Sequence, residues 1–155
     1  MNKIQHIRKA FIFSLLAIMA FSFSACQEDE YADWKIINDQ WLEQHKNDPG
    51  FIQTESGLCY KVIHQTNLRQ PNNSSLVDVD YVGKLVDGTV FDSGNFENYL
   101  YNSIPGWQEG IRKMREGARF IFYIPSSLGY GVDGSGDIPP NSTLIFEVTL
   151  NSSQY

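Results

Sequence analysis

Three stretches in the last third of the chain place aromatic and branched apolar residues inside turns rich in glycine and proline. They read IPGWQEG at residues 104–110, GYG at 129–131 and IPPNSTLIF at 138–146. Loops are usually polar, and core side chains usually sit on regular elements. An open apolar pocket is the usual form of a site for a small ligand or a peptide. We therefore predict that these turns surround a binding pocket.

Residue types that serve covalent or metal catalysis are sparse. The chain has two cysteines, Cys26 and Cys59, and three histidines, His6, His45 and His64. The histidines are scattered without metal-ligand spacing, so we predict no metal and no cofactor. Cys59 lies in a strand-like run, and we interpret it as a small half-buried residue and not as a nucleophile.

A glycine pattern at residues 129–134, GYGVDG, matches the dinucleotide fingerprint G-x-G-x-x-G. That fingerprint needs a helix to begin there, so that backbone amides meet the pyrophosphate. The residues that follow, SGDIPP at 135–140, cannot start such a helix. We interpret these glycines as shaping a tight loop.

The elements that must carry these turns are mostly β-strands. Apolar alternation and turn residues predict strands at residues 56–63, 76–85, 89–93, 118–124 and 143–150. Asp87-Gly88 predicts a hairpin between the second and third. One short helix is predicted at 106–116, with Trp107, Ile111 and Met114 on its inner face. The expected fold class is α+β, an antiparallel sheet of about five strands wrapped on one helix.

A second helix is predicted before this domain, at residues 31–48. Trp34, Ile37, Trp41 and Leu42 fall near one face, and Pro49-Gly50 ends the pattern. This face could pack on the domain, or it could pair with a partner and so make the protein a dimer through residues 31–48.

The N-terminus has the pattern of an export signal. Lys3, Arg8 and Lys9 precede an apolar run at residues 10–23, which is too short to span a membrane comfortably. Small residues then lead to Cys26, as in a bacterial lipobox. We predict a signal peptide at 1–25, an acidic tether and helix at 26–50, and one domain at 51–155. A plain cleaved signal, without lipid on Cys26, is the alternative.

Charge argues against some classes of partner. The net charge is −6, and three of the 12 Lys and Arg residues but none of the 18 Asp and Glu residues precede Cys26. Cleavage there would leave a net charge of −9. No basic footprint for nucleic acid remains, so no nucleic-acid partner is predicted. The membrane would be reached through lipid on Cys26.

Several ordered blocks resemble the FKBP-type peptidyl-prolyl cis-trans isomerases. They are VDYVG at 79–83, DGTVFDS at 87–93, IPGWQEG at 104–110, GYG at 129–131, and IPP at 138–140 with LIFEV at 144–148. The resemblance covers about residues 52–150. It implies an FKBP-like twisted sheet curled around one helix, with the ligand held between them. It also implies proline-containing polypeptides as substrates and macrolide-type FKBP ligands as possible binders.

The resemblance further implies a set of site residues. Catalytic roles would fall to Tyr81, Phe91, Asp92, Trp107, Tyr130 and Phe146, and substrate binding to Phe96, Ile104 and Ile138. Trp107 would form the floor under the proline ring, and Asp92 a polar group at the rim. The Tyr130 hydroxyl and the Ile138 backbone N–H would donate to substrate carbonyls. Taken singly, the aromatic residues could be core residues, and Asp92 could cap a turn.

The expected activity is isomerisation of X-Pro bonds in exported proteins. Two positions depart from the family pattern, Ser103 where valine is common and Asn98 where an aromatic residue is common. Both are expected near the pocket wall. A non-catalytic prolyl-peptide-binding or chaperone module on the same fold is therefore the alternative, and a surface adhesin is a third. The protein is expected in the outer membrane, facing the periplasm or the cell surface.

Overall fold

The computed structural model describes residues 25–155. The predicted signal peptide at 1–25 thus lies almost wholly outside the described residues, and nothing in the structure bears on lipid at Cys26. Residues 34–155 form one compact unit, and the described residues 25–33 lie outside it. Among the described residues, no helix combines the length and apolarity that crossing a membrane requires.

Helix α1 spans Ala25–His45. It ends three residues before the predicted Asp48, and the chain turns through Pro49 to Gly50, whose φ is 79°. The predicted apolar face is only partly right. Asn38 is fully buried, whereas Ile37 is 50% exposed. The Asn38 side chain satisfies buried backbone groups, which an isoleucine there could not do.

The sheet is antiparallel and has six strands. They are β1 (Ile52–Gln53), β2 (Cys59–His64), β3 (Leu76–Lys84), β4 (Val90–Tyr99), β5 (Arg119–Ile124) and β6 (Leu144–Gln154). Their order in the sheet is β1-β2-β5-β6-β3-β4. The predicted fold class is confirmed. The count exceeds the predicted five because the two residues of β1 pair with the start of β2.

Strand β4 is longer than the pattern predicted. It continues past Ser93 to Tyr99 and pairs with β3 along the whole length of that strand. The polar residues after Ser93 gave no apolar alternation from which the rest of the strand could be predicted, because an edge strand needs little such alternation. A register shift opposite Gly83 and Lys84 adds one residue to β4 at Phe91. This bulge lets Phe91 and Asp92 both border the same cavity.

Helix α2 spans Pro105–Ile111 and packs on β5 through two glycines. A methyl group at Gly106 would lie 2.5 Å from the Ile124 side chain, and one at Gly110 would lie 2.7 Å from Phe122. The helix ends earlier than the predicted Glu116. Met114, which was predicted on the inner helix face, is still fully buried, but in the turn that follows.

Candidate functional site

A cavity of about 430 Å³ opens between α2 and the concave face of the sheet. Strands β3, β4 and β6, helix α2 and the long β5–β6 connection all contribute to it. It is lined by Tyr81, Phe91, Asp92, Phe96, Asn102, Ser103, Ile104, Trp107, Tyr130 and Phe146. Eight of the nine pocket residues predicted from the sequence are in this lining, and Ile138 is not.

Trp107 lies at the base of the cavity, where α2 begins. Its indole is 5% exposed and meets three rings edge-on: Tyr81 at 5.2 Å, Phe96 at 5.4 Å and Phe146 at 5.2 Å between centroids. Such T-shaped contacts match the positive edge of one ring to the negative face of another. The indole Nε1 is buried without a hydrogen-bond partner among the described residues. Trp107 is therefore held by ring packing, and it is at once a core residue and a cavity residue.

Gly83 on β3 makes room for the cavity wall. A methyl group there would lie 2.6 Å from the Phe91 ring and 2.8 Å from the Phe146 ring. Those two rings stand perpendicular, with centroids 5.5 Å apart. Phe146 is the Cα partner of Gly83 across the β3–β6 pairing. The missing side chain thus lets two aromatic rings fill the space above β3.

Tyr81 and Asp92 form a polar pair at the rim. The Tyr81 hydroxyl donates to Asp92 Oδ2 at 2.7 Å. Burial, the bond to Asp92, and the charges of Asp92 and Tyr130 together raise the pKa of Tyr81 to about 12. The phenol therefore stays protonated at neutral pH and remains a donor. Asp92 accepts this bond across the strands and does not cap a turn.

Tyr130 lies in the connection between β5 and β6. It is 39% exposed although it lines the cavity. Gly131 follows it with a φ of 65°, a conformation that glycine adopts without strain. Tyr130 thus borders both the cavity and solvent.

Comparison with known proteins identifies the family. The family profile described as FKBP-type peptidyl-prolyl cis-trans isomerase matches residues 68–151. The chain belongs to this family.

Individual relatives agree with the profile. The chain is 44% identical over 116 residues to the probable FKBP-type isomerase FkpA of Neisseria meningitidis, covering 71% of this chain and 43% of that protein. It is 39% identical over 124 residues to "Outer membrane protein MIP" of Legionella longbeachae, covering 76% and 53%. The crystal structure of FkpA from Escherichia coli aligns with a TM-score of 0.80 and 32% identity, over 97% of this chain and 72% of that one. The chain spans about half the length of the two relatives matched by sequence.

Within this FKBP-type domain, Ile138 does not have the predicted surroundings. It belongs to the buried core and is absent from the cavity lining. Its N–H donates to the Ser135 carbonyl at 2.9 Å, and the Ser135 N–H donates back at 3.0 Å. A donor engaged in this reciprocal pair is not free for a substrate carbonyl, so the predicted donor role is not supported.

Ile104 offers a backbone donor that the sequence reasoning missed. It lines the cavity, and its N–H has no acceptor among the described residues. It directly precedes α2, where the first N–H groups of a helix lack intrahelical partners. The proline after Ile104 could have pointed to this position, because proline is frequent at the first position of a helix.

The wall near Ile104 is more polar than the aromatic rim. Asn102 and Ser103 both line the cavity, and only Ser103 had been expected there. The Gln108 side chain donates to the Ser103 carbonyl at 2.7 Å and so holds this wall against α2. Asn98, also expected near the wall, is absent from the lining and instead accepts a bond from the Asn102 side chain at 2.9 Å.

Proposed function

We propose that this chain catalyses cis-trans isomerisation of X-Pro bonds in exported proteins, with the proline ring seated on Trp107. The observation that carries the proposal is a solvent-open cavity floored by an indole and walled by aromatic rings. A pyrrolidine ring is small, apolar and rigid, and it fits this kind of cavity. Family membership supports the same reaction.

Isomerisation of an X-Pro bond requires no nucleophile and no proton transfer. Rotation about the peptide bond has a barrier of about 20 kcal/mol, and uncatalysed X-Pro exchange takes roughly 10–100 s. At the twisted transition state, amide resonance is lost and the carbonyl is less charge-separated. An apolar cavity therefore favours the twisted amide over the planar one, which loses more solvation on entering it. The rings around Trp107 supply that cavity.

Two donors would hold the carbonyls that flank the rotating bond. Tyr130 and Ile104 both line the cavity, and the Ile104 N–H has no acceptor within residues 25–155. The Tyr81 hydroxyl is already engaged with Asp92. We assign the two substrate contacts to Tyr130 and Ile104, and to Tyr81 the task of holding the Asp92 carboxylate at the rim.

A protease-coupled prolyl-peptide assay tests the proposal. Phe91→Ala, which removes one wall, should lower kcat/KM by about tenfold or more. Tyr130→Phe, which removes one donor, should lower it about fivefold. The matched controls are Val90→Ala and Tyr101→Phe, exposed neighbours outside the cavity lining, which should leave the rate unchanged. Binding of the peptide without turnover by the unaltered chain would sink the enzymatic proposal and favour a prolyl-peptide-binding module.

Ligand competition gives a second measure of the same cavity. A macrolide-type FKBP ligand should inhibit turnover competitively with the prolyl peptide. Phe91→Ala should weaken the binding of the macrolide and of the peptide alike. Inhibition that left peptide binding unaffected would place the macrolide outside this cavity.

The cellular location of the protein is a further part of the proposal. We place the protein outside the cytoplasm, held in the outer membrane by lipid on Cys26, with the acidic residues 27–30 as a tether. The lipobox-like residues before Cys26 and the matched outer membrane relative support this. Mass spectrometry of the mature N-terminus should find Cys26 as the first residue with lipid attached, and an unmodified N-terminus would contradict it. Protease accessibility in intact cells distinguishes surface display from a periplasmic position.

Dimerisation through residues 31–48 is also proposed. Ile36 and Ile37 on α1 are 52% and 50% exposed and could contact a second copy. Analytical ultracentrifugation should give a dimer for the unaltered chain and a monomer when both become serine. A monomer in both would contradict it.

A further inference from the structure

Helix α1 holds the connection that carries Tyr130. This connection, residues 125–143, is called the Tyr130 loop below. Asn38 of α1 is fully buried, and the Thr143 N–H donates to its Oδ1 at 2.7 Å. Its Nδ2 donates to the Trp34 carbonyl at 2.8 Å. Both ends of the amide are engaged, so its orientation is fixed and the end of the loop is tied to the helix.

A second link lies one turn earlier on the helix. The Trp34 Nε1–H donates to Ser142 Oγ at 2.9 Å, and the Ser142 hydroxyl donates to the Pro139 carbonyl at 2.7 Å. Ser142 is 3% exposed. Since buried hydrogen bonds are costly to leave unmade, this chain of donors resists displacement of residues 139–142.

The loop returns from this anchor to Tyr130. The Asn141 N–H donates to the Gly131 carbonyl at 2.9 Å, and the Gly131 N–H donates to the Ser126 carbonyl at 2.8 Å. Gly131 directly follows Tyr130. An uninterrupted path of backbone and hydrogen bonds thus runs from Asn38 and Trp34 to the residue at the cavity mouth.

We propose that Asn38 and Trp34 are positioning residues, which set the place of the Tyr130 hydroxyl by anchoring the far end of its loop. The inference rests on the proposed function for its effect on turnover, but the position of Tyr130 can be measured without turnover. Neither residue borders the cavity. They act through Tyr130: when their hydrogen bonds to the loop are lost, the Tyr130 hydroxyl can move away from the substrate carbonyl.

Tyrosine-labelled protein provides the direct test. The Tyr130 ring resonances are assigned by their loss in Tyr130→Phe, and they are then followed in Asn38→Ala and in the milder Trp34→Phe. Both variants should shift or broaden the Tyr130 signals. Gln40→Ala, at an exposed position of the same helix, should not. Unchanged Tyr130 signals in folded Trp34→Phe would overturn the inference, whatever the turnover.

Kinetics provide the second readout, at a temperature well below the melting point of every variant. Trp34→Phe and Asn38→Ala should each lower kcat/KM about fivefold in the unaltered background, and much less in a Tyr130→Phe background, because residues that act through one another are not additive. Equal losses in both backgrounds would overturn the inference. An unaltered chain without turnover would sink the proposed function, and the resonance test would then decide the inference alone.

Discussion

The Tyr81 hydroxyl donates to the Asp92 carboxylate over 2.7 Å, from one strand of the cavity wall to the next. This bond joins β3 to the bulged end of β4, and it keeps a charged group at the rim of an otherwise aromatic cavity. A carboxylate that is held by a neutral donor can stay at the rim without turning into the apolar interior. The pair thereby keeps the charged carboxylate away from the ring-lined space above Trp107.

The raised pKa of Tyr81 predicts a loss of stability in alkaline solution. The phenol ionises near pH 10 in the unfolded chain but with a pKa of about 12 in the folded protein. At a pH between these two pKa values, the folded protein holds a proton that the unfolded chain has lost. The unfolding free energy therefore falls as pH rises through this range, and the contribution of Tyr81 is fully present below it. Tyr81→Phe should flatten the decline in unfolding free energy between pH 9.5 and 11.5, measured by urea titration. An unchanged slope in that variant would contradict the assignment, and Tyr101→Phe is the matched control.

The absence of a side chain at Gly83 predicts a cavity that closes when one is added. In Gly83→Ala, the new methyl group must displace the Phe91 and Phe146 rings, because it would lie under 3 Å from both. We expect a loss of about 1–3 kcal/mol in stability from overpacking, together with a lower kcat/KM for prolyl peptides. Chemical denaturation and the coupled assay measure the two effects.

Gly94→Ala is the control for this change. Gly94 lies on the neighbouring strand, and a methyl group there would meet nothing within 4 Å. Its stability should change by less than about 1 kcal/mol, and its turnover should match that of the unaltered chain. Equal behaviour of the two alanine variants would show that Gly83 has no special role in shaping the cavity.

Sequence patterns predicted the cavity best where regular elements carry its residues. Tyr81, Phe91 and Trp107 lie on or beside strands and helices whose spacing the motifs preserve, so their side chains converge as expected. Ile138 differed because its predicted role belonged to a backbone N–H. Whether a backbone N–H is free depends on local hydrogen bonding, here with Ser135. A pattern of side chains does not show this.

The two helix positions Ile37 and Asn38 show another limit. Periodicity ranks residues by polarity, so it placed Ile37 on the apolar face and left Asn38 off that face. The structure reverses them, because the Asn38 amide satisfies the buried N–H of Thr143, directly before β6. A buried polar residue with a tertiary partner cannot be recognised from its own segment alone. The polar edge strand β4 escaped full prediction for a related reason, since its pairing with β3 needs no apolar alternation.

The environment of Cys59 predicts an unreactive thiol. The residue is fully buried, and burial, followed by the charge of Glu43, raises the pKa of the thiol, against an opposing effect of Lys46. Only the thiolate is nucleophilic, so both burial and the raised pKa slow its reaction. A Cys26→Ser chain should react with a disulfide reagent at pH 8 far more slowly when folded than in denaturant. Stoichiometric labelling of the folded chain at the unfolded rate would show that Cys59 is accessible.

The packing of Trp41 predicts how much α1 contributes to the stability of the domain. The Trp41 ring stacks on Tyr123 of β5 with centroids 5.6 Å apart, and Phe51 stacks on the same ring at 4.4 Å. Removing a buried tryptophan side chain typically costs 3–5 kcal/mol, and Trp41 is only half-buried, so Trp41→Ala should lower the unfolding free energy by about 2 kcal/mol. Gln40→Ala, at an exposed position of the same helix, should change it by less than about 0.5 kcal/mol. Urea denaturation followed by circular dichroism separates the two variants. Equal, small effects would mean that α1 contributes little to the folded domain, whereas a large effect of Trp41→Ala alone ties this part of the helix to the sheet through the Tyr123 ring.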